Sequence, residues 1–251
     1  PDRLGLWAAR VRPADPRLFL TPALWFEKET QMTHTAPSAK ALVPFVSVDH
    51  MMQLVHHVGL PDMLRGLADY IAADFKRWEL FDKTPRIASH SAEGVIELMP
   101  TSDGETYGFK YVNGHPRNTF EGLQTVTAFG LLADVETGYP VLMSEMTLLT
   151  AMRTAATSAL VARALAPRGA TTMAMIGNGA QSEFQALAFR AICGVDRLRL
   201  YDIDPRATAK LMRNLAGMGF DLTACTSQED AIEGAQIITT CTADKQYATI
   251  L

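Results

Sequence analysis

The chain has 251 residues, 48% of them hydrophobic and 20% charged, which is enough to bury a core in one large domain or two modest ones. Its net charge of −4 at pH 7 argues against nucleic acid as the main partner, and no apolar run approaches the roughly 18 residues that a membrane helix needs. Its three cysteines lie in no paired or metal-like spacing, which predicts reduced thiols in a cytoplasmic protein without a metal site.

The first 45 or so residues are rich in proline and show no sustained periodicity. Arginines among aromatic residues in this stretch are reminiscent of a targeting peptide, but no apolar region with a small-residue cleavage site accompanies them. We therefore interpret residues 1–45 as a disordered or non-native leader, with Met32 as a candidate start, and we expect residues 1 to about 40 to contribute nothing to folding.

Two helices are predicted after Val46. Ser47 is a suitable N-cap for the first, and the spacing of apolar residues predicts an amphipathic second helix with its aromatic stripe in the core. The first helix is predicted to end near His57, and the second to run from Pro61 to about Phe81.

The period then changes to two, which is typical of a sheet. Charged residues within such strands are costly unless they are paired or used, so Arg86, Glu97 and Lys110 are candidates for a polar pocket. An ion-pair network on a solvated face is the alternative, and spacing alone does not separate the two. The predicted strands cover residues 86–91, 95–99, 107–112, 125–133 and 140–143.

Beyond these strands, Ser144 is predicted to cap a long alanine-rich helix over residues 145–166. Strands and helices then alternate, which predicts a parallel, doubly wound sheet. Four strands are present where such a domain usually has six, so the sequence predicts a domain cut short at Leu251. The predicted strands are residues 173–176, 198–201, 222–225 and 237–240, and the helices are 182–191, 207–215 and 228–233.

A glycine pair, Gly177-Asn178-Gly179, follows the first strand of this alternating part. The first glycine permits a tight turn, the second lets the backbone approach a pyrophosphate, and the next helix offers free N–H groups. Asp202 ends the next strand 25 residues after Gly177, near where a dinucleotide fold places its ribose-binding carboxylate. The sequence thus predicts a dinucleotide site, although Ser182 stands at the usual third glycine. A turn with glycines for packing only is the alternative.

Several longer motifs carry a resemblance to a known family. They are DFKRW (74–78), RIASHS (86–91), GVIELMP (94–100), FKYVNGHP (109–116), RTAATS (153–158), GNGAQSEFQ (177–185) and TADK (242–245). With these motifs, the chain from about Val46 to Leu251 resembles the ornithine cyclodeaminase/mu-crystallin family. That family writes its glycine motif as Gly-x-Gly-x-Gln, so Ser182 is no departure from it.

The resemblance implies an α/β architecture in two domains. A substrate-binding and dimerisation domain would cover residues 46–150, and its sheet would also build a homodimer. An NAD-binding domain with a Rossmann-type, doubly wound parallel sheet would cover residues 151–251 and lack its C-terminal half.

The resemblance also implies roles for individual residues. Arg86 would hold the substrate α-carboxylate, Lys110 would be the catalytic residue beside the reacting carbon, and Glu97 would lie near it in the substrate site. The family's main catalytic aspartate would fall beyond residue 251. Cofactor contacts would be Thr125, Arg153, Gly177, Asn178, Gly179, Ala180, Gln181, Asp202 and Thr242.

The implied reaction turns L-ornithine into L-proline and ammonia. NAD would take hydride from the α-carbon, the side-chain amine would attack the resulting imine, ammonia would leave, and the hydride would return. Residues 1–251 alone are expected to be inactive without the aspartate. The alternatives are a ketimine reductase or amino-acid dehydrogenase of the same family, or a non-catalytic crystallin-like binding protein. The sequence does not separate ornithine from lysine.

Overall fold

Residues 42–243 of the chain are described by a computed structural model. The predictions for the leader up to residue 41, for Met32 as a start, and for Asp244 and Lys245 at the end of the last motif lie outside these residues. No helix within residues 42–243 is long and apolar enough to cross a membrane.

A mixed sheet forms the first part of the described chain. Its strands are β1 (Phe45–Val46), β2 (Ile87–His90), β3 (Val95–Ser102), β4 (Thr106–Gly114), β5 (Ala128–Asp134) and β6 (Pro140–Glu145). Their order is β1-β6-β5-β4-β3-β2, with β1 parallel to β6 and the other neighbours antiparallel. The predicted strands are confirmed, except that β5 begins at Ala128 rather than at Thr125. β1 was not predicted, and the leader prediction is wrong for Phe45, which pairs with Met143 in this sheet. Before β5 the pairing is irregular, because the backbone N–H and hydroxyl of Thr127 donate to the side chain of Asn113 while the Thr127 carbonyl still accepts from the Asn113 N–H.

Two helices, α1 (Val48–Val58) and α2 (Leu60–Lys76), precede β2. The predicted cap is confirmed, since the Ser47 hydroxyl accepts from the backbone N–H of His50 at 3.3 Å. The predicted end at Phe81 is wrong: α2 stops at Lys76, and a short 3₁₀ turn, Trp78–Leu80, follows.

The aromatic stripe predicted for the core is not buried. Phe75 and Trp78 are 56% and 50% exposed, and their rings stack on each other with centroids 5.7 Å apart. The buried side of α2 is formed by Leu64 and Ala68, both fully enclosed. Because the helix ends before Trp78, the two rings cover each other on the surface instead of following that buried side.

The long helix α3 (Thr147–Leu165) begins differently from the prediction. Ser144 does not cap it, because Ser144 and Glu145 still belong to β6. The buried Glu145 carboxylate does this work, with Oε2 accepting from the backbone N–H groups of Thr147 at 2.8 Å and Leu148 at 3.2 Å. A carboxylate suits this place because it can accept from two free N–H groups at the positive end of the helix dipole.

The rest of the described chain is a parallel, doubly wound sheet, as predicted. Met173 and Met175 point into the larger core on one face, whereas Ala174 and Ile176 pack on the other face with Ala231. The strands are β7 (Thr172–Ile176), β8 (Arg197–Tyr201), β9 (Asp221–Ala224) and β10 (Ile237–Thr240), in the order β10-β7-β8-β9. The helices between them are α4 (Ser182–Cys193), α5 (Pro205–Leu215) and α6 (Gln228–Ile232).

The larger core joins the two ends of the described chain. Met51 of α1 and Leu64 of α2 belong to the same buried cluster as Met152 of α3 and Met175 of β7. The helices α1 and α2 therefore pack toward the parallel sheet. Along the chain, α3 connects the mixed sheet to the parallel sheet. The division into two domains near residue 150 stays a prediction.

Candidate functional site

The three charged residues predicted for a pocket lie together on one face of the mixed sheet. Lys110 on β4 lies directly opposite Met99 on β3 and Gly130 on β5, so these positions share a face. Glu97 is two residues from Met99 and shares it too. Arg86, just before β2, donates from Nη1 to Oε1 of Glu97 at 3.0 Å. We call the side that carries Glu97, Met99, Lys110 and Gly130 the pocket face.

Helix α3 supplies the opposite wall of this site. The Lys110 ammonium donates to the Thr150 hydroxyl at 3.5 Å, and Arg153 lies one turn further along the helix. Arg153 was predicted as a cofactor contact, and the structure places its charge close enough to Lys110 to act on it. Thr150 was missed by sequence reasoning, although its spacing of three residues from Arg153 predicts a shared helix face.

Positive charge dominates the pocket face. Burial lowers the pKa of Lys110 to about 8, and the charges of Arg153 and Arg86 act in the same direction while Glu97 opposes them. Burial also lowers the pKa of Arg153, with Arg86 adding to the effect. Three cations around one carboxylate favour an anionic ligand and a lysine that can exchange a proton near neutral pH. The choice between a polar pocket and a solvated ion-pair network stays a prediction, since the side chain of Arg86 is 57% exposed and that of Glu97 is 19% exposed.

The glycine turn after β7 has the two properties that its sequence predicts. Gly177 adopts a φ of 89°, and a Cβ there would lie 2.9 Å from the backbone of Cys241 and Thr242 at the end of β10. Gly179 is exposed, and a Cβ there would meet nothing within 4 Å. The first glycine thus permits the tight turn, and the second leaves open backbone for a ligand's phosphates.

Asp202 faces this turn from the end of β8. One carboxylate oxygen accepts from the backbone N–H of Asn178 at 2.7 Å, and the other from that of Asp204 at 2.9 Å. Each oxygen retains capacity for a second donor such as a ribose hydroxyl. With the open backbone at Gly179, this arrangement fits a dinucleotide rather than a turn built only for packing.

Ser182 has a structural role that the sequence did not reveal. Its side chain is fully buried, and its hydroxyl donates to the carbonyl of Gly179 at 2.6 Å, which closes the turn. Asn178 is buried as well, and its amide donates to the Thr208 hydroxyl on α5 at 2.8 Å. A small hydroxyl residue at the start of a helix is the signal that could have predicted this bond.

Gln181 links the glycine turn to the pocket wall. Its side-chain amide donates at 3.0 Å to the carbonyl of Ala151, which lies on α3 between Thr150 and Arg153. The glycine turn and the charged side chains around Lys110 thus both bond to the same segment of one helix.

The remaining predicted cofactor residues occupy two places. Ala180 and Thr242 are exposed beside the glycine turn, with the Thr242 backbone close to Gly177. Thr125 lies in the loop before β5, where its carbonyl accepts from the backbone N–H of His115 at 2.8 Å. Within residues 42–243 no hydrogen bond joins Thr125 to the glycine turn.

Comparison with known proteins shows the family to which the residues described above belong. The sequence profile of the ornithine cyclodeaminase/mu-crystallin family matches residues 48–251. The chain belongs to this family.

Relatives within the family include enzymes of known name. The ornithine cyclodeaminase of Brucella suis is 71% identical over 210 residues, which cover 84% of this chain and 59% of that protein. The chain therefore spans about three fifths of the length of this curated relative.

Solved structures of the family superpose on the chain. A lysine cyclodeaminase studied for its recognition of L-lysine, L-ornithine and L-2,4-diaminobutyric acid superposes with a TM-score of 0.77 at 27% identity, covering 84% of this chain and 64% of that one. The Δ1-pyrroline-2-carboxylate reductase of Thermococcus litoralis, in complex with NADH and L-proline, superposes with a TM-score of 0.70 at 25% identity, covering 79% and 61%.

The cysteine thiols of this family member are not suited to chemistry at neutral pH. Cys193, Cys225 and Cys241 are free thiols, and burial raises the pKa of each, that of Cys241 to about 11. Thiols with raised pKa values are poor nucleophiles at neutral pH. In the described part of the chain, no group of three or more His, Cys, Asp or Glu side chains could hold a metal ion.

The steric requirement at Gly177 predicts a stability change. Gly177→Ala should lower the free energy of unfolding by about 2–5 kcal/mol, since a positive φ and a backbone overlap both oppose the new methyl group. Gly104→Ala is the matched control: its φ is 93°, but a Cβ there meets nothing within 4 Å, so a loss of only about 1–2 kcal/mol is expected. Equal losses in urea denaturation of both variants would contradict the close approach.

Proposed function

We propose that the whole protein is an ornithine cyclodeaminase, which converts L-ornithine to L-proline and ammonia with catalytic NAD. The observation that carries the proposal is the cationic pocket of Arg86, Lys110 and Arg153, joined through Gln181 to the glycine turn. The 71% identity to the Brucella suis enzyme supports the choice of reaction.

In this proposal Arg86 holds the substrate α-carboxylate. Its side chain is 57% exposed, and one guanidinium nitrogen donates to Glu97, which leaves the other donors of the planar fork for a ligand. The bond to Glu97, whose side chain is only 19% exposed, keeps the fork at the edge of the pocket face. A planar fork fits the two oxygens of a carboxylate better than an ammonium does.

Lys110 moves a proton at the reacting centre. Its pKa of about 8, set mainly by burial, leaves a substantial neutral fraction at physiological pH. A neutral lysine amine can accept a proton from the α-ammonium group of the amino acid, which must lose its charge before its α-carbon is oxidised. The Thr150 hydroxyl and the Arg153 charge orient the resulting ammonium and favour its return to the neutral form.

The glycine turn and Asp202 are proposed to hold NAD. When bound, NAD supplies a hydride acceptor for the α-carbon and returns the hydride to the cyclic imine. The residues proposed to contact it are Thr125, Arg153, Gly177, Asn178, Gly179, Ala180, Gln181, Asp202 and Thr242.

NAD should bind more tightly than NADP. The Asp202 carboxylate, fixed by two backbone N–H groups, would accept from the ribose hydroxyls and repel a 2′-phosphate. Asp202→Asn removes the charge and should narrow the difference between the two cofactors. Titrating the whole protein and its variant with each cofactor tests this, and tighter binding of NADP by the unmodified protein would contradict it.

A homodimer is proposed from the other side of the mixed sheet. Leu98, Tyr111 and Phe129 lie opposite one another on that side, which we call the aromatic face, and the rings of Tyr111 and Phe129 stack 5.0 Å apart. Leu98 and Phe129 are 41% and 42% exposed, an unusual state for paired apolar side chains in mid-sheet. A second copy of the sheet would cover them.

Sedimentation of the whole protein tests the dimer. Phe129→Glu should give monomers, because a charge in an apolar interface is costly. Phe75→Glu, on an aromatic residue 56% exposed at the end of α2, should leave the dimer intact. Monomers before any substitution would contradict the proposal.

A cytoplasmic location is proposed on the free thiols alone.

The nearest alternative is a net reductase or dehydrogenase of the same family, favoured by the similarity to the Thermococcus litoralis reductase. Incubating the whole protein with L-ornithine and a catalytic amount of NAD separates the two. A cyclodeaminase gives proline and ammonia, whereas a dehydrogenase accumulates NADH. A non-catalytic crystallin-like protein would bind NAD and give no product.

A further inference from the structure

Gly130 leaves a gap on the pocket face beside Lys110, and Met146 fills it. Lys110 on β4 and Gly130 on β5 lie directly opposite each other, with their Cα atoms about 5 Å apart. A Cβ on Gly130 would overlap the sulfur of Met146 and lie 2.9 Å from the carbonyl oxygen of Phe109. The Met146 thioether therefore lies against the sheet in the place of a neighbouring side chain.

The backbone of Met146 is fixed on both sides. Its N–H donates to the carbonyl of Ala128 on β5 at 2.9 Å, and its carbonyl accepts from the N–H of Thr150 at 2.7 Å. This residue joins β6 to α3, so the point from which its side chain reaches the gap over Gly130 is fixed.

Met146 is the N-cap of α3 and is in line with two residues of that helix that lie near Lys110. Thr150 and Arg153 follow it at intervals of four and three residues, which places all three on one side of the helix. The Lys110 side chain starts beside Met146 and ends at the Thr150 hydroxyl. On its other side, Met99 of β3 lies directly opposite Lys110. Lys110 thus lies between Met99 on one neighbouring strand and, on the other, Gly130 with the Met146 sulfur over it.

We propose that Met146 is a positioning residue for Lys110, whose thioether on Gly130 keeps water away from the lysine side chain. Methionine suits this place because its long unbranched side chain fills an irregular gap without offering a hydrogen bond that would admit water. The proposal rests on the proposed function for the importance of Lys110, but its geometry does not depend on the substrate.

Three charged side chains face Lys110 from the elements around it. They are Arg153 from α3, Glu97 from β3 and Arg86 from the segment before β2. Burial has a larger effect than any of these charges on the pKa of Lys110, which is lowered to about 8. Met146 carries no charge, so its contribution must come through burial.

The test measures the titration of Lys110 without turnover. The whole protein is treated with acetic anhydride over a range of pH, and acetylation of Lys110 is followed by mass spectrometry of its peptide. Met146→Gln keeps the chain length but adds an amide that draws water, so the pKa of Lys110 should rise by about one unit toward its ordinary value. The reactivity of Lys110 at pH 8 should then fall about fivefold, since only the neutral amine reacts.

Two controls make the result specific. Met146→Leu keeps the side chain over Gly130 apolar. It should leave the pKa of Lys110 within about 0.3 pH units of its original value, because cores tolerate such exchanges of similar volume. Acetylation of the exposed Lys76 in the same samples measures the activity of the reagent, and neither substitution should change its rate.

An unchanged Lys110 titration in Met146→Gln would overturn the proposal, and so would an equal shift in Met146→Leu. Because the measurement uses no ornithine, failure of the proposed reaction would leave its outcome intact. In the active protein, the acid limb of the pH profile should move upward in Met146→Gln by the same amount as the titration.

Discussion

Lys110→Met should lower proline formation by the whole protein about 10²- to 10⁴-fold, the usual range for loss of a residue that transfers a proton. NAD affinity should stay within about twofold, because Lys110 lies on the mixed sheet and the hydrogen bonds of the glycine turn are made to Ala151, Asp202 and Thr208 instead. Methionine has nearly the length of the lysine stem and leaves the packing with Met99 in place. Steady-state rates with saturating NAD, together with a cofactor titration, measure both quantities.

The pH profile adds an independent check on Lys110. As the pKa is lowered to about 8, the neutral form that accepts a proton gains population as pH rises through 8. The rate of the unmodified protein should therefore increase through this pH and level off above it. Lys76→Met, a change on the exposed end of α2, should keep both the rate and the profile. A Lys110→Met variant that retained more than a tenth of the rate would contradict the assignment.

Arg86→Lys should raise the KM for ornithine roughly 10- to 150-fold, which corresponds to the loss of about 1.5–3 kcal/mol from charge-assisted hydrogen bonds. The substitution keeps the positive charge but loses the fork that meets two carboxylate oxygens. The cofactor affinity should not change, since Arg86 lies at the edge strand of the mixed sheet.

Arg117 offers a matched control for this experiment. It too is an exposed arginine that donates to a glutamate, in this case Glu93 at 3.0 Å, but it lies outside the pocket face. Arg117→Lys should leave the KM unchanged. If both variants raise the KM equally, or if neither does, Arg86 does not hold the carboxylate.

Sequence patterns predicted the parallel sheet best. Its strands are short apolar runs separated by helices of ordinary length, and local pattern decides such elements. β7 and β10 were predicted within one residue, and the glycine turn between β7 and α4 lies where the motif indicates. These features depend on neighbours in sequence, which a single chain displays directly.

Features set by distant contacts were not predictable in the same way. The N-terminus of α3 illustrates the difference, since Ser144 is a good cap by type but remains in β6, and the buried Glu145 replaces it. Local propensity cannot show that the ladder with β5 extends through Ser144 and Glu145. The exposure of Phe75 and Trp78 was not predictable for a similar reason, because it depends on where α2 ends.

The site itself was predicted in its residue types but not in its geometry. Alternation along the strands identified Arg86, Glu97 and Lys110 as unusual, yet their arrangement depends on the register between β3 and β4. The positions of Thr150 and Arg153 depend on how α3 packs over the sheet. Family resemblance assigned Arg153 to the cofactor, whereas its influence on Lys110 emerges only from the folded chain.

The fate of the hydrogen on the ornithine α-carbon tests the central claim most directly. L-Ornithine that carries deuterium at this carbon is incubated with the whole protein and a catalytic amount of NAD in ordinary water. We predict proline with deuterium at its own α-carbon, one ammonia per proline, and no build-up of NADH. Proline that has lost the deuterium, or NADH that accumulates in proportion to ornithine consumed, would contradict the assignment as a cyclodeaminase.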